Sequence, residues 1–146
     1  DMQEALGKEF PDCEILIMAA AVADAKPASV SSEKIKKASY QCIELEANPD
    51  LIANISKTRS DNQVLVAFAA ETMPLSNETI EAAKAKMKRK GSDLIYLNNV
   101  SKGAIFGADE TAGILIDSNG ETFKCDNQSK DTLADLLLDR ALNKLR

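Results

Sequence analysis

Residues 15–37 read ILIMAAAVADAKPASVSSEKIKK. The run Ile15–Ala20 carries no polar side chain, the pattern of a strand buried on both faces, as in a parallel sheet. It empties into small residues, Ala20 and Ala21 among them, where a ligand can come close to the backbone. One carboxylate, Asp24, follows. A Pro/Ser-rich loop then ends in Lys34, Lys36 and Lys37, three lysines within four positions. The strand exit, the lone acid and the cationic loop together fit a polar anionic ligand. Without such a ligand the same lysines are a solvated surface run.

Working outward, Met2, Ala5 and Leu6 read as the end of a helix, with a turn at Pro11–Asp12. Tyr40, Cys42 and Leu45 alternate with polar residues, apart from Ile43, as an extended half-exposed segment would. Asn48-Pro49-Asp50 reads as a helix start: Asn caps, Pro fits the first helical position, and Asp50 complements the dipole. That helix is expected to reach Thr58 and to bury Leu51, Ile52 and Ile55. Val64–Ala69 is a second apolar strand, leading to Glu71 and a turn at Pro74. A helix from Ser76 to Lys90 ends at Gly91, placed for a left-handed cap. Leu94–Leu97 is a third strand, ending at Asn98-Asn99. Strand–helix–strand–helix–strand specifies an α/β fold: a Rossmann-like three-layer domain with a mainly parallel sheet. Gly113–Ile116 and Thr122–Cys125 flank Asn119-Gly120, a hairpin signal. A final helix, Lys130–Leu145, carries Leu133, Leu136, Leu137, Ala141 and Leu145 on one face.

A chain of 146 residues is expected to be a single domain. Its net charge of −5 disfavours non-specific binding to nucleic acid or an anionic membrane, so any phosphate site is a local basic patch. The apolar run Ile15–Ala23 is too short to span a bilayer. Three scattered cysteines without a CxxC pair read as reduced core thiols of a cytoplasmic protein. Histidine is absent, which removes Ser-His-Asp and Cys-His catalysis and most zinc sites. Neither GxGxxG nor GxxxxGK[ST] occurs, which counts against a dinucleotide-binding redox domain. Chemistry must rest on lysines, carboxylates and amides. No resident metal site is expected; a nucleotide-borne magnesium is the one metal implied.

The strand ends place Ala19–Asp24, Phe68–Thr72 and Asn98–Asn99 at one carboxyl edge, where open α/β sheets bind ligands. Lys86 and Lys90 are four apart and share a helix face. Two ammoniums there can grip a polyphosphate where no glycine loop exists. The plain alternative is that they complement the dipole of the helix end.

AAAVADAKP…EKIKK, ANPDLI, VAFAAET and KxKxKRKGSDLIYLNNV occur in this order over nearly the whole chain. Together they resemble phosphopantothenoylcysteine synthetase of bacterial coenzyme A synthesis, usually the C-terminal half of a bifunctional protein. The resemblance implies a ligase that joins 4′-phosphopantothenate to L-cysteine with CTP and Mg²⁺ through an acyl-cytidylate, acting as a homodimer. FMN would belong only to an absent decarboxylase domain. It also implies that Asp24 contacts the cytosine end and that Lys34 acts on the acyl-nucleotide. Pro49, Asp50, Leu51, Ile52 and Phe68 would line the nucleotide pocket, Lys86 and Lys90 would hold the triphosphate, and Ala20 and Ala21 would border the substrate. The family carries a glycine-rich strand–loop upstream of Ile15, so residues 1–146 are expected to be an N-terminally truncated domain. Two other readings remain open: a non-catalytic nucleotide-binding or dimerisation module, and a fragment that binds CTP without turnover.

Overall fold

The computed structural model describes residues 1–35, 42–72, 74–100 and 107–145. In chain order the elements are α1 (Met2–Glu9), a 3-10 turn (Phe10–Asp12), β1 (Ile15–Met18), β2 (Ala25–Pro27), β3 (Leu45–Ala47) and α2 (Leu51–Ile55). They continue with β4 (Val64–Glu71), α3 (Asn77–Lys90), β5 (Leu94–Asn99), β6 (Glu110–Asp117), β7 (Thr122–Ser129) and α4 (Lys130–Lys144). Two compact units result: Asp1–Ala19 with Leu51–Arg146, and Ala20–Asp50.

The larger unit is a three-layer α/β structure around a five-stranded sheet of order β1-β4-β5-β6-β7. β1, β4 and β5 pair in parallel, and β5/β6 and β6/β7 pair antiparallel. The expected hairpin therefore joins the main sheet and makes it mixed. Side chains alternate across the strands. Leu65, Ala67, Ala69, Ile95 and Leu97 face one core with Leu51, Ile52, Ala83 and Met87 of α2 and α3. Val64, Val66, Leu94, Tyr96 and Leu115 face the other, with Leu133, Leu137 and Ala141 of α4.

Local chemistry sets the element ends. Ser76 caps α3 by accepting from the Thr79 amide, while the Thr79 hydroxyl accepts from the Ser76 amide at 2.7 Å. Gly91 closes α3 at φ 66°, a conformation costly for any residue with a Cβ. Asp117 holds the hairpin turn by accepting from the amides of Asn119 and Glu121, each at 2.9 Å. α2 stops at Ile55 rather than Thr58. There the hydroxyls of Ser56 and Thr58 donate back to the carbonyls of Ala53 and Ile55, offering the chain an alternative to further helix.

Two side chains brace the amino ends of the strands. The buried Gln63 amide donates to the carbonyls of Phe10 (2.8 Å) and Cys13 (2.6 Å). Asp93 receives both arms of the Arg59 guanidinium and the Leu65 amide (2.8 Å). Asp93→Ala removes the acceptor for three donors, and we expect it to cost about 2 kcal/mol. Denaturant unfolding should show a lower midpoint at unchanged slope, and a loss below about 0.5 kcal/mol would contradict this bracing.

The smaller unit is an antiparallel pair, β2 with β3, in which Lys26 sits opposite Glu46 with an ion pair of 3.0 Å. α2 begins at Leu51, so Asp50 rather than Asn48 stands directly before it. The Asn48 side chain donates to the Ala23 carbonyl (2.9 Å) and its amide to the Asp24 carbonyl (2.8 Å). Two further expectations change. β1 lies at the sheet edge with Ile15–Ile17 half-buried, so it is enclosed less than its sequence indicates. Of the three thiols, Cys125 alone is buried, and Cys13 and Cys42 are exposed.

Candidate functional site

The larger unit brings Ala19, Phe68 and Asn98 together at the carboxyl edge, as the strand pattern predicts. All three line a cavity of about 330 Å³ between the sheet and α4. Its floor is Ile17, Phe68 and Tyr96, and Leu133, Leu137 and Leu138 of α4 form the far wall. The rings of Phe68 and Tyr96 meet edge to face, with centroids 5.6 Å apart. The polar lining is the Tyr96 hydroxyl with Thr111, Asn98 and Lys130. Tyr96 and Thr111 share a buried hydrogen bond of 3.2 Å. Burial pushes the Tyr96 phenol above its usual range, partly offset by that bond, so it stays a neutral donor. Burial likewise raises the Cys125 thiol, making it a poor nucleophile.

Phe68 thus turns its ring toward α4. Leu51 and Ile52 are buried in the opposite core, beside α3. Their side chains pack, so contact with a ligand there is left to main-chain atoms. Lys86 and Lys90 lie on this α2–α3 face. Both are half-buried at the flank of the Ala83–Met87 stripe, whereas Lys88 and Arg89 are exposed. α3 starts beyond the carboxyl end of β4 and ends just before β5, so Lys90 lies toward the amino edge. Lys86 is roughly 13 Å along the axis from the start of α3, at about 1.5 Å per residue. The lysine pair and the Phe68 ring therefore occupy opposite faces of the sheet.

In the smaller unit, Asn48 ties the backbone of Asp24 to the segment that continues into Pro49 and Asp50. Segments that carry two residues expected in the site, Asp24 and Pro49, are thereby joined, through a residue that the sequence alone marked as a helix cap. Ala20, Ala21 and Lys34 also belong to this unit, and Lys34 is exposed. Lys36, Lys37 and Tyr40 lie outside the described residues. Sequence pattern gave no signal for Tyr96 and Thr111, since a tyrosine within an apolar strand reads as core.

Among the described residues no group of three His, Cys, Asp or Glu side chains is arranged to hold a metal ion. No helix among them is long and apolar enough to cross a membrane.

Residues 1–145 match the DNA/pantothenate metabolism flavoprotein C-terminal domain, and the chain belongs to that family. It is similar to the coenzyme A biosynthesis bifunctional protein CoaBC of Mycolicibacterium smegmatis, with 36% identity over 145 residues, 94% of this chain and 35% of the relative. The chain thus spans about a third of that relative's length. The solved C-terminal domain of a coenzyme A biosynthesis bifunctional protein CoaBC superposes with a TM-score of 0.73 at 25% identity, covering 96% of this chain and 59% of the other. A histidine variant of Cab2, solved in complex with phosphopantothenate-cysteine, shares the fold at a TM-score of 0.60 and 15% identity, over 87% of this chain and 44% of that one. The resemblance read from four sequence motifs and the family match agree.

Proposed function

We propose that this chain belongs to a phosphopantothenate–cysteine ligase that activates the 4′-phosphopantothenate carboxylate with CTP and works as a homodimer. What carries the reading is family membership over residues 1–145, with a relative named for coenzyme A biosynthesis. The phosphopantothenate-cysteine bound to Cab2 supports the substrate class.

In this reading the 4′-phosphopantothenate carboxylate attacks the α-phosphorus of CTP, forming an acyl-cytidylate and releasing pyrophosphate. The cysteine amine then attacks the acyl carbon, loses a proton, and expels CMP. Asp24, held through its carbonyl by Asn48, accepts from the cytosine amino group. Main-chain groups of Pro49–Ile52 and of Phe68 line the nucleotide, Ala20 and Ala21 leave room for the substrate, and Lys86 and Lys90 hold the phosphates. Lys34 places a cation against the charge that develops on the acyl-nucleotide. Mg²⁺ would enter on the triphosphate, held mostly by phosphate oxygens.

Thermal shift with CTP, ATP, UTP and NAD tests the nucleotide reading. CTP should stabilise most, and a shift with NAD alone would overturn it. Replacing Lys86 and Lys90 together by Ala should weaken CTP binding about tenfold for each lysine, on the scale of one charge-assisted hydrogen bond. The deficit should shrink as salt is raised. Unchanged affinity by calorimetry would remove the lysines from the site.

A further inference from the structure

Asp24 is held from both sides by one residue. The Asn48 side-chain amide donates to the Ala23 carbonyl at 2.9 Å, and the Asn48 main-chain amide donates to the Asp24 carbonyl at 2.8 Å. Those two carbonyls belong to the peptide planes on either side of the Asp24 Cα. Peptide units are flat, so holding both planes fixes φ and ψ of Asp24 and the direction of its Cα–Cβ bond. Asp24 itself is exposed, and its side-chain torsions remain for a ligand to settle.

Packing supplies little of this order. β2 and β3 pair over three residues each, and every residue of both strands is exposed. Hydrogen bonds therefore set the geometry. The Ala28 amide closes the far end of the pair on the Glu44 carbonyl at 2.9 Å, and Asn48 closes the end that carries Asp24. Asn48 is restrained in its turn. A residue before proline is steered to extended backbone, and Pro49 has a fixed φ. Asparagine also suits the position chemically. Its amide nitrogen donates to a carbonyl, whereas an aspartate of the same shape would set oxygen against oxygen.

We propose that Asn48 is a positioning residue that sets base selection. It aims the Asp24 carboxylate to accept from an exocyclic amino group, as in cytosine, and to repel the oxo group that uracil carries there. The inference rests on the ligase reading, which puts Asp24 at the base, and adds the residue that fixes its aim. An amino group gives the carboxylate a charge-assisted hydrogen bond, while an oxo group leaves two acceptors face to face. That difference depends on direction. Truncating Asn48 keeps the carboxylate but lets it swing, so CTP loses its bond and UTP escapes its repulsion.

Calorimetry with CTP and with UTP on the native-length protein tests it. The parent should bind CTP at least roughly a hundredfold more tightly than UTP, and Asp24→Ala should bind the two about equally. Asn48→Ala should lower the CTP-to-UTP ratio about tenfold, chiefly by weakening CTP. Asn48→Asp, equal in size but without the donor, should lower it at least as far. In an Asp24→Ala background, Asn48→Ala should leave the ratio where it is. A merely structural role would weaken both nucleotides together. That outcome, or an unchanged ratio in Asn48→Ala, would overturn the inference and leave the ligase reading standing on the parent's preference for CTP. A parent that binds neither nucleotide, or a preference that survives Asp24→Ala, would instead overturn the placing of Asp24 at the base, and the inference with it.

Discussion

Lys34→Ala is expected to slow complete turnover by roughly 100- to 1,000-fold, the usual cost of removing one preorganised group that stabilises developing charge. The loss should fall on the second half-reaction. Attack of the cysteine amine puts negative charge on the former carbonyl oxygen, and departure of CMP puts more on the phosphate. An ammonium answers both. CTP affinity should stay within about threefold, because the phosphates are assigned to Lys86 and Lys90. The signature is a burst of about one pyrophosphate per site followed by arrest, with acyl-cytidylate accumulating. Lys34 is exposed, so its loss should not disturb folding. A variant with full turnover would return Lys34 to being a surface charge.

Gly113→Val is expected to give the largest stability loss, roughly 3 kcal/mol or more. Gly113 pairs with Asn98 on one side and Cys125 on the other, beside the irregularity between Thr111 and Gly113. A Cβ built on Gly113 would press on the Leu97 carbonyl and lie 2.7 Å from the Tyr96 ring. Neither neighbour can retreat: one is ladder backbone, and the other is a buried ring pinned by Thr111 and Phe68. Gly113→Ala should show the same effect at smaller size. Thermal unfolding that stays within a few degrees of the parent would mean that the sheet yields here.

The elements that periodicity and end signals control were legible in the sequence. Ser76 and Gly91 bracket α3, and Asn119-Gly120 sits in the turn before β7. Val64–Glu71 and Leu94–Asn99 are parallel neighbours, and α4 buries Leu133, Leu137 and Ala141. What failed was what depends on distant partners. Asn48 before Pro49 has every local mark of a cap, yet its bonds go to Ala23 and Asp24, which lie far back in the sequence. β2, three residues with Lys26 and Pro27 among them, is too short to show a period and exists through cross-strand pairing with β3, into which the extended segment read at Tyr40–Leu45 leads. The hairpin's place in the main sheet depends on the pairing of β6 with β5, which neither strand encodes alone.

The site divides the same way. The gathering of Ala19, Phe68 and Asn98 at one edge follows from strand order and was readable. Which face the Phe68 ring takes follows from register, where a shift by one residue exchanges core for core. The lysine pair was readable as a pair, but its position on the α2–α3 face needed the crossover of α3.

Pyrophosphate release by the native-length protein, supplied with CTP, 4′-phosphopantothenate and L-cysteine, tests the ligase most directly. The account predicts release that requires phosphopantothenate, continues only with cysteine, and equals the phosphopantothenoylcysteine formed. Binding of CTP in a thermal-shift measurement with no pyrophosphate released under any combination of substrates would contradict it and leave a nucleotide-binding module without chemistry.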